Sequence, residues 1–161
     1  MPTTSYAIAI GSNRRGRHGA PEREVAAAIR ALGAVVAVSG IVASAPLGPS
    51  IRRFANAAAL IETRETPAEL LARLKRIERD FGRRRGQRWG ARVIDLDIVL
   101  WSAGSWAEDD LIVPHPAFRA RRFVLDPLLE IAADWRDPLT NSTVRQLAWL
   151  AQAVDRRPRR P

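Results

Sequence analysis

Two aspartates, Asp95 and Asp97, stand two residues apart inside the otherwise apolar run "RVIDLDIVLW", residues 92–101. A strand alternates faces with period two. Ile94, Leu96, Ile98 and Leu100 are therefore expected on one face, and Val93, Asp95, Asp97, Val99 and Trp101 on the other. The carboxylates then project the same way, about 6.5–7 Å apart along the chain. Unpaired negative charge beside an apolar core is costly, and a nearby cation would remove that cost. The alternative is two solvated residues on an edge strand, but the flanking Val93, Val99 and Trp101 make free solvation a poor fit. Two carboxylates suit Mg²⁺, a hard cation whose octahedron substrate phosphates can complete.

The strand follows directly on the most basic part of the chain: from Arg73 to Arg92 nine basic residues face only Glu78 and Asp80. Arg83, Arg84, Arg85, Arg88 and Arg92 could neutralise the phosphates of a nucleotide or of a nucleic acid. Trp89, between Gly86 and Gly90, is a large apolar group in a stretch without apolar periodicity. Residues 83 to 92 therefore read as a lid that folds over a ligand. Further on, His115 is held between Pro114 and Pro116, with Arg121 six residues later. An imidazole and a guanidinium so placed could both touch a phosphate. His18, in the N-terminal loop, has the plainer reading of a structural histidine.

The elements that must position these groups can be read from patterning. "SYAIAIGSN" is expected as a strand running into a glycine turn, and "PEREVAAAIRALG" as a helix with Pro21 in its first turn and Gly33 as its stop. "AVVAVSGIVAS" and "FANAAALIET" read as strands. "TPAELLARLKRIERDFG" is a helix with a Thr66/Glu69 capping box and a stripe of Leu70, Leu74, Ile77 and Phe81. After the Asp-bearing strand, "LIVPHPAF" reads as a short strand broken by prolines. "DPLLEIAADW" opens a helix with Asp126 as N-cap, and "TVRQLAWLAQA" closes the series with Val144, Leu147 and Leu150 on one stripe. The order β-α-β-β-α-β with added C-terminal helices predicts a ferredoxin-like α+β sandwich.

The 161 residues fit one domain, expected over 1–155, followed by a disordered basic tail over 156–161. With no cysteine, disulfides and thiolate metal sites are excluded. No stretch reads as a signal peptide or a membrane span, so a cytoplasmic protein without membrane partners is expected. A formal charge of +9, from 26 basic residues, all Arg except Lys75, against 17 acidic ones, favours an anionic ligand.

"RWGARVIDLDIVLW" followed by "LIVPHPAFRARRFVLDPLLEIA" resembles the 6-hydroxymethyl-7,8-dihydropterin pyrophosphokinases of folate biosynthesis. "AIGSN", "PLGP" and "FANAA" match further landmarks of that family in order, so the resemblance spans residues 6 to 150. It implies an ATP-dependent enzyme whose co-substrate phosphates are bridged by two Mg²⁺ ions on Asp95 and Asp97; a monomer is the default expectation. It further implies that Arg83, Arg85, Arg92, His115 and Arg121 hold the triphosphate, with Trp89 and Ile98 also at the nucleotide. Phe54 and Phe123 would sandwich the pterin ring, Asn56 would bind its polar edge, Ser44, Ala45 and Leu47 would line the pocket, and Asp95 would face it. A nucleic-acid-binding module on the same fold is the rival reading; it has no use for paired aspartates.

Overall fold

A computed structural model describes residues 1–44, 53–82 and 92–157 of the chain. The expectations placed on Ala45, Leu47, Arg83, Arg84, Arg85, Arg88 and Trp89, the lid among them, lie outside the described residues, as does residue 158 onward.

The chain opens with β1 (Thr4–Ser12), in which large and small residues alternate strictly from Tyr6 to Gly11. Helix α1 (Pro21–Leu32) starts on Pro21, carries Glu22 and Glu24 in its first turn and ends at Gly33, where a φ of +62° suits a residue without Cβ. The expected second strand is two short ones, β2 (Val35–Val38) and β3 (Val42–Ser44), interrupted at Ser39–Gly40. The Ser39 side chain accounts for the break, because its Oγ accepts from the Ala58 N–H and donates to the Gly40 carbonyl. β4 (Phe54–Thr63) and α2 (Pro67–Asp80) match the sequence reading, and both halves of the Thr66/Glu69 capping box are formed. β5 (Asp95–Trp101) is the Asp-bearing strand. A hairpin of β6 (Trp106–Glu108) and β7 (Leu111–Val113) follows, of which sequence patterning shows only the second strand. Helices α3 (Arg122–Ala132) and α4 (Val144–Asp155) complete the fold.

The main sheet is antiparallel in the order β2-β4-β1-β5, with β3 also on β4. It separates two cores. Tyr6, Ile8, Ile10, Ile61, Leu96 and Ile98 pack with α1 and α2; Ala7, Ala58, Leu60, Val99 and Leu100 pack with α3 and α4. Each fully buried Ile or Leu contributes about 1.5–3 kcal/mol through apolar area removed from water.

Two sequence expectations need correction. The strict alternation over residues 93–101 fails because the β1–β5 register shifts between Ala7 and Ile8: Ile8 faces Ile98, but Ala7 faces Leu100. Val99 is the extra residue of a bulge, so Leu100 joins Val99 in the second core, while Trp101 moves to the first and stacks on Tyr6 at 5.8 Å. Likewise, Asp126 is no N-cap. α3 begins at Arg122, and Pro127 lies within it. Burial of Val124, Leu125 and Leu128 outweighs the local capping preference. On α4 the inward stripe is Val144, Leu147 and Ala148, with Leu150 half exposed. No described helix is long and apolar enough to cross a membrane.

Candidate active site

The register places the chemical groups in rows across the sheet. Asn56 of β4, Gly11 of β1 and Asp95 of β5 are successive partners, and so are Ala58, Ala9 and Asp97. Between the functional side chains the floor is glycine or alanine. A Cβ on Gly11 would lie 3.1 Å from Asn56 Oδ1, so glycine there lets the amide lie close over β1. The rows continue the face that α3 and α4 cover further along, and they emerge where α3 begins.

Two cavities meet there. The first, about 370 Å³, has Asn56, Gly11 and Asp95 along its floor, with Phe54 and Phe123 on its walls. Both rings are markedly exposed, at 42% and 54%. Two uncovered phenyl groups flanking an amide form a clamp for a flat heterocycle with a polar edge. The second cavity, about 500 Å³, runs along the outer edge of β5 and is lined by Asp95, Asp97, Ile98, His115 and Arg121, with Arg92 at its border. Arg92 and Asp95 line both cavities, and they are paired at 3.1 Å.

The electrostatics of the second cavity turn on Asp97. Burial and the neighbouring Asp95 push its carboxyl up, while His115, Arg121 and Arg92 pull it down; the net shift is upward. Ionised Asp97 is therefore disfavoured, first by burial and then by the adjacent carboxylate. His115 is fixed twice: its N–H donates to the carbonyl of the bulged Val99 at 3.0 Å, and its Nδ1 accepts from the Ala117 N–H at 3.1 Å. A backbone amide can only donate, so Nδ1 accepts there and Nε2 is left as the ring's donor toward the cavity. The peptide before Pro114 is cis. Arg121 and Phe123 sit at the start of α3, with the guanidinium 5.7 Å from the ring centre.

Of the residues singled out in the sequence, Phe54, Asn56, Arg92, Asp95 and Phe123 gather at the first cavity. Arg92, Asp95, Asp97, Ile98, His115 and Arg121 gather at the second. Ser44 pairs with Phe54 through the β3–β4 ladder. His18 lies elsewhere: its Nδ1 is 2.8 Å from the buried Glu24 and its ring packs on Phe81, a structural role as expected. Sequence reasoning assigned no role to Ser12 and Asn13 in the first cavity, or to Lys75 and Glu78 in the second. Glu78 had a visible signal, an acid on the buried side of α2; its carboxylate accepts from the Leu96 N–H at 3.1 Å. Among the described residues no group of three or more His, Cys, Asp or Glu could hold a metal, which leaves Asp95 and Asp97 as a two-carboxylate set.

The sequence model of the 7,8-dihydro-6-hydroxymethylpterin-pyrophosphokinase (HPPK) family matches residues 7–133. The 2-amino-4-hydroxy-6-hydroxymethyldihydropteridine pyrophosphokinase of Haemophilus influenzae is 40% identical over 137 residues, 81% of this chain and 82% of that protein. The protein of the same name from Pseudomonas aeruginosa gives the same identity and coverage. Among solved structures, the wild-type Plasmodium falciparum HPPK-DHPS superposes on 96% of this chain with a TM-score of 0.71 at 14% identity; the match spans 45% of that longer chain and speaks for the fold alone. On the family match and the two close relatives, the chain belongs to the 7,8-dihydro-6-hydroxymethylpterin-pyrophosphokinase family.

Proposed function

We propose that this chain transfers the terminal pyrophosphoryl group of ATP to the hydroxymethyl group of 6-hydroxymethyl-7,8-dihydropterin in folate biosynthesis. The hydroxymethyl oxygen attacks the β-phosphorus and loses its proton, the bond from that phosphorus to the α–β bridging oxygen breaks, and AMP leaves. One observation carries the reading: a cavity suited to a flat heterocycle and a cavity suited to phosphates adjoin at Asp95 and Arg92. Reactants held on either side of that pair meet over β5, so positioning supplies much of the rate.

Phe54 and Phe123 would stack on the pterin and Asn56 would bind its polar edge. His115 would donate Nε2–H to a phosphate oxygen, with Arg92 and Arg121 adding charge-assisted bonds. Asp95 and Asp97 suit Mg²⁺: they are hard oxygen donors, they share one face, and they line one cavity with His115 and Arg121. Two Mg²⁺ ions held there would supply neutralisation of the phosphate charge. Counting β2 and β3 as one interrupted strand gives the strand order of a ferredoxin-like sandwich. Two cores sharing one sheet support residues 1–155 as a single domain, which we read as a cytoplasmic monomer.

The test is product analysis. Incubation with ATP, Mg²⁺ and the pterin should release AMP and a diphosphorylated pterin, and nothing without Mg²⁺. Formation of ADP, or single-stranded oligonucleotide binding that ATP–Mg²⁺ does not displace, would overturn the reading.

A further inference from the structure

Asn13 is the first residue beyond β1 and lines the cavity assigned above to the heterocycle. It makes a reciprocal pair of bonds with one residue far along the chain: its Oδ1 accepts from the Arg92 N–H at 2.6 Å, and its own N–H donates to the Arg92 carbonyl at 3.1 Å. The Arg92 backbone is thereby held at both its donor and its acceptor. Arg92 in turn places Nη1 3.1 Å from Asp95 Oδ1, and both residues border the two cavities.

The clamp sits where no sheet ladder can act. The β1–β5 register ends at Gly11 and Asp95, so Arg92 lies three residues before the first paired position of β5. Among the described residues, the Arg92 backbone is held to the sheet by Asn13 alone. The amide orientation is also settled. The Arg92 N–H can only donate, so Oδ1 faces Arg92 and the Nδ2 hydrogens point away from it.

We propose that Asn13 is a positioning residue for the transfer reaction, acting through Arg92. It fixes the backbone from which the guanidinium reaches Asp95, and so sets the charge at the junction where the two reactants meet. This rests on the pyrophosphoryl-transfer reading. A misplacement of about 1 Å at such a junction can cost on the order of 100-fold in rate. A residue in this role changes turnover more than affinity, and its effect vanishes once the group it positions is gone.

The test is a double-mutant cycle on the full chain with ATP–Mg²⁺ and pterin. Asn13→Ala should lower kcat by about 10- to 100-fold, with the KM values changing less than threefold and the melting temperature nearly unchanged. In an Arg92→Ala background the same substitution should cost less than twofold further, because both residues act as one unit. Independent multiplication of the two losses would overturn the proposal. So would a kcat loss that only mirrors lost stability. If Asn13→Ala does not fold, Asn13→Asp carries the test. It keeps the acceptor for the Arg92 N–H and should stay within tenfold of the parent kcat; a loss as large as that of Arg92→Ala would overturn the idea. Asp95→Ala is measured alongside. Full activity there sinks the transfer reading itself, whereas an inactive Asp95→Ala beside a fully active Asn13→Ala sinks only the role of Asn13.

Discussion

The two faces of β1 are built from the same nine residues, yet one is packed along its length while the other, packed at Ala7, opens toward Gly11 into the workbench proposed above. Tyr6, Ile8 and Ile10 point toward α1 and α2 and are at most 1% exposed. Ala7, Ala9 and Gly11 lie on the other face, and along that face the covering helices stop before Gly11 is reached. Large side chains fill the space between sheet and helix, whereas small ones leave room above the backbone for groups from neighbouring strands. Asn56 and Asp95 occupy that room. Strand alternation thus separates stability from chemistry within one element.

Breaking the workbench side should produce the largest functional effect and almost no structural one. Asp97→Ala should reduce pyrophosphoryl transfer by orders of magnitude, read as AMP release. Its melting temperature should hold or rise slightly, because a half-buried carboxylate beside another is removed. A collapse in melting temperature would mean that the two faces are not separable.

Breaking the packed side should do the opposite. Ile8→Ala leaves a cavity in the first core and should cost about 2–5 kcal/mol in denaturant unfolding. The kcat of the protein that remains folded should stay near the parent value.

Acid should test the covering helices on the second face. Asp137 is fully buried in the turn between α3 and α4. Burial pushes its carboxyl up, but hydrogen bonds from Arg119, the Leu139 N–H and Thr140 outweigh it and hold the group down to about 2. A depressed folded-state value means stability that is present above about pH 4 and lost as pH falls toward 2. The loss should total about 2 kcal/mol. Asp137→Asn should flatten that part of the curve, as followed by circular dichroism.

The smallest effect sharpens the comparison most. Asn56→Ala should weaken pterin binding by about 1 kcal/mol, the lower end for an amide partner left unsatisfied. ATP affinity should hardly change. Equal losses for both ligands in calorimetry would make Asn56 part of the scaffold instead.

Much of this was legible in the sequence, for identifiable reasons. β1, β4, α1 and α2 carry their own periodicity and punctuation, and the Thr66 capping box marks a helix start from four residues alone. Asp95, Asp97, His115 and Arg121 stand out because charge sits beside apolar runs or prolines. What was not legible depends on pairing between distant segments. The Val99 bulge exists only as a mismatch between β1 and β5, so the alternation of residues 93–101 gave no sign that Leu100 and Trp101 trade faces. The start of α3 was misplaced because Asp126–Pro127 imitates a cap, while the decisive term is burial against a helix twenty residues later. Asn13 is a polar residue after a glycine until Arg92 is brought beside it.

β5 ends the sheet: in the order β2-β4-β1-β5 no further strand among the described residues pairs with it. Such an edge invites another chain to add itself, and charged side chains on the strand together with capped amides are ways to discourage that. β5 has both, in Asp95 and Asp97 and in the Glu78 carboxylate on the Leu96 N–H. The two carboxylates proposed for phosphate chemistry thus also put charge on an edge strand. Removing both aspartates should yield a chain that melts no earlier yet associates more readily, as size-exclusion chromatography would show.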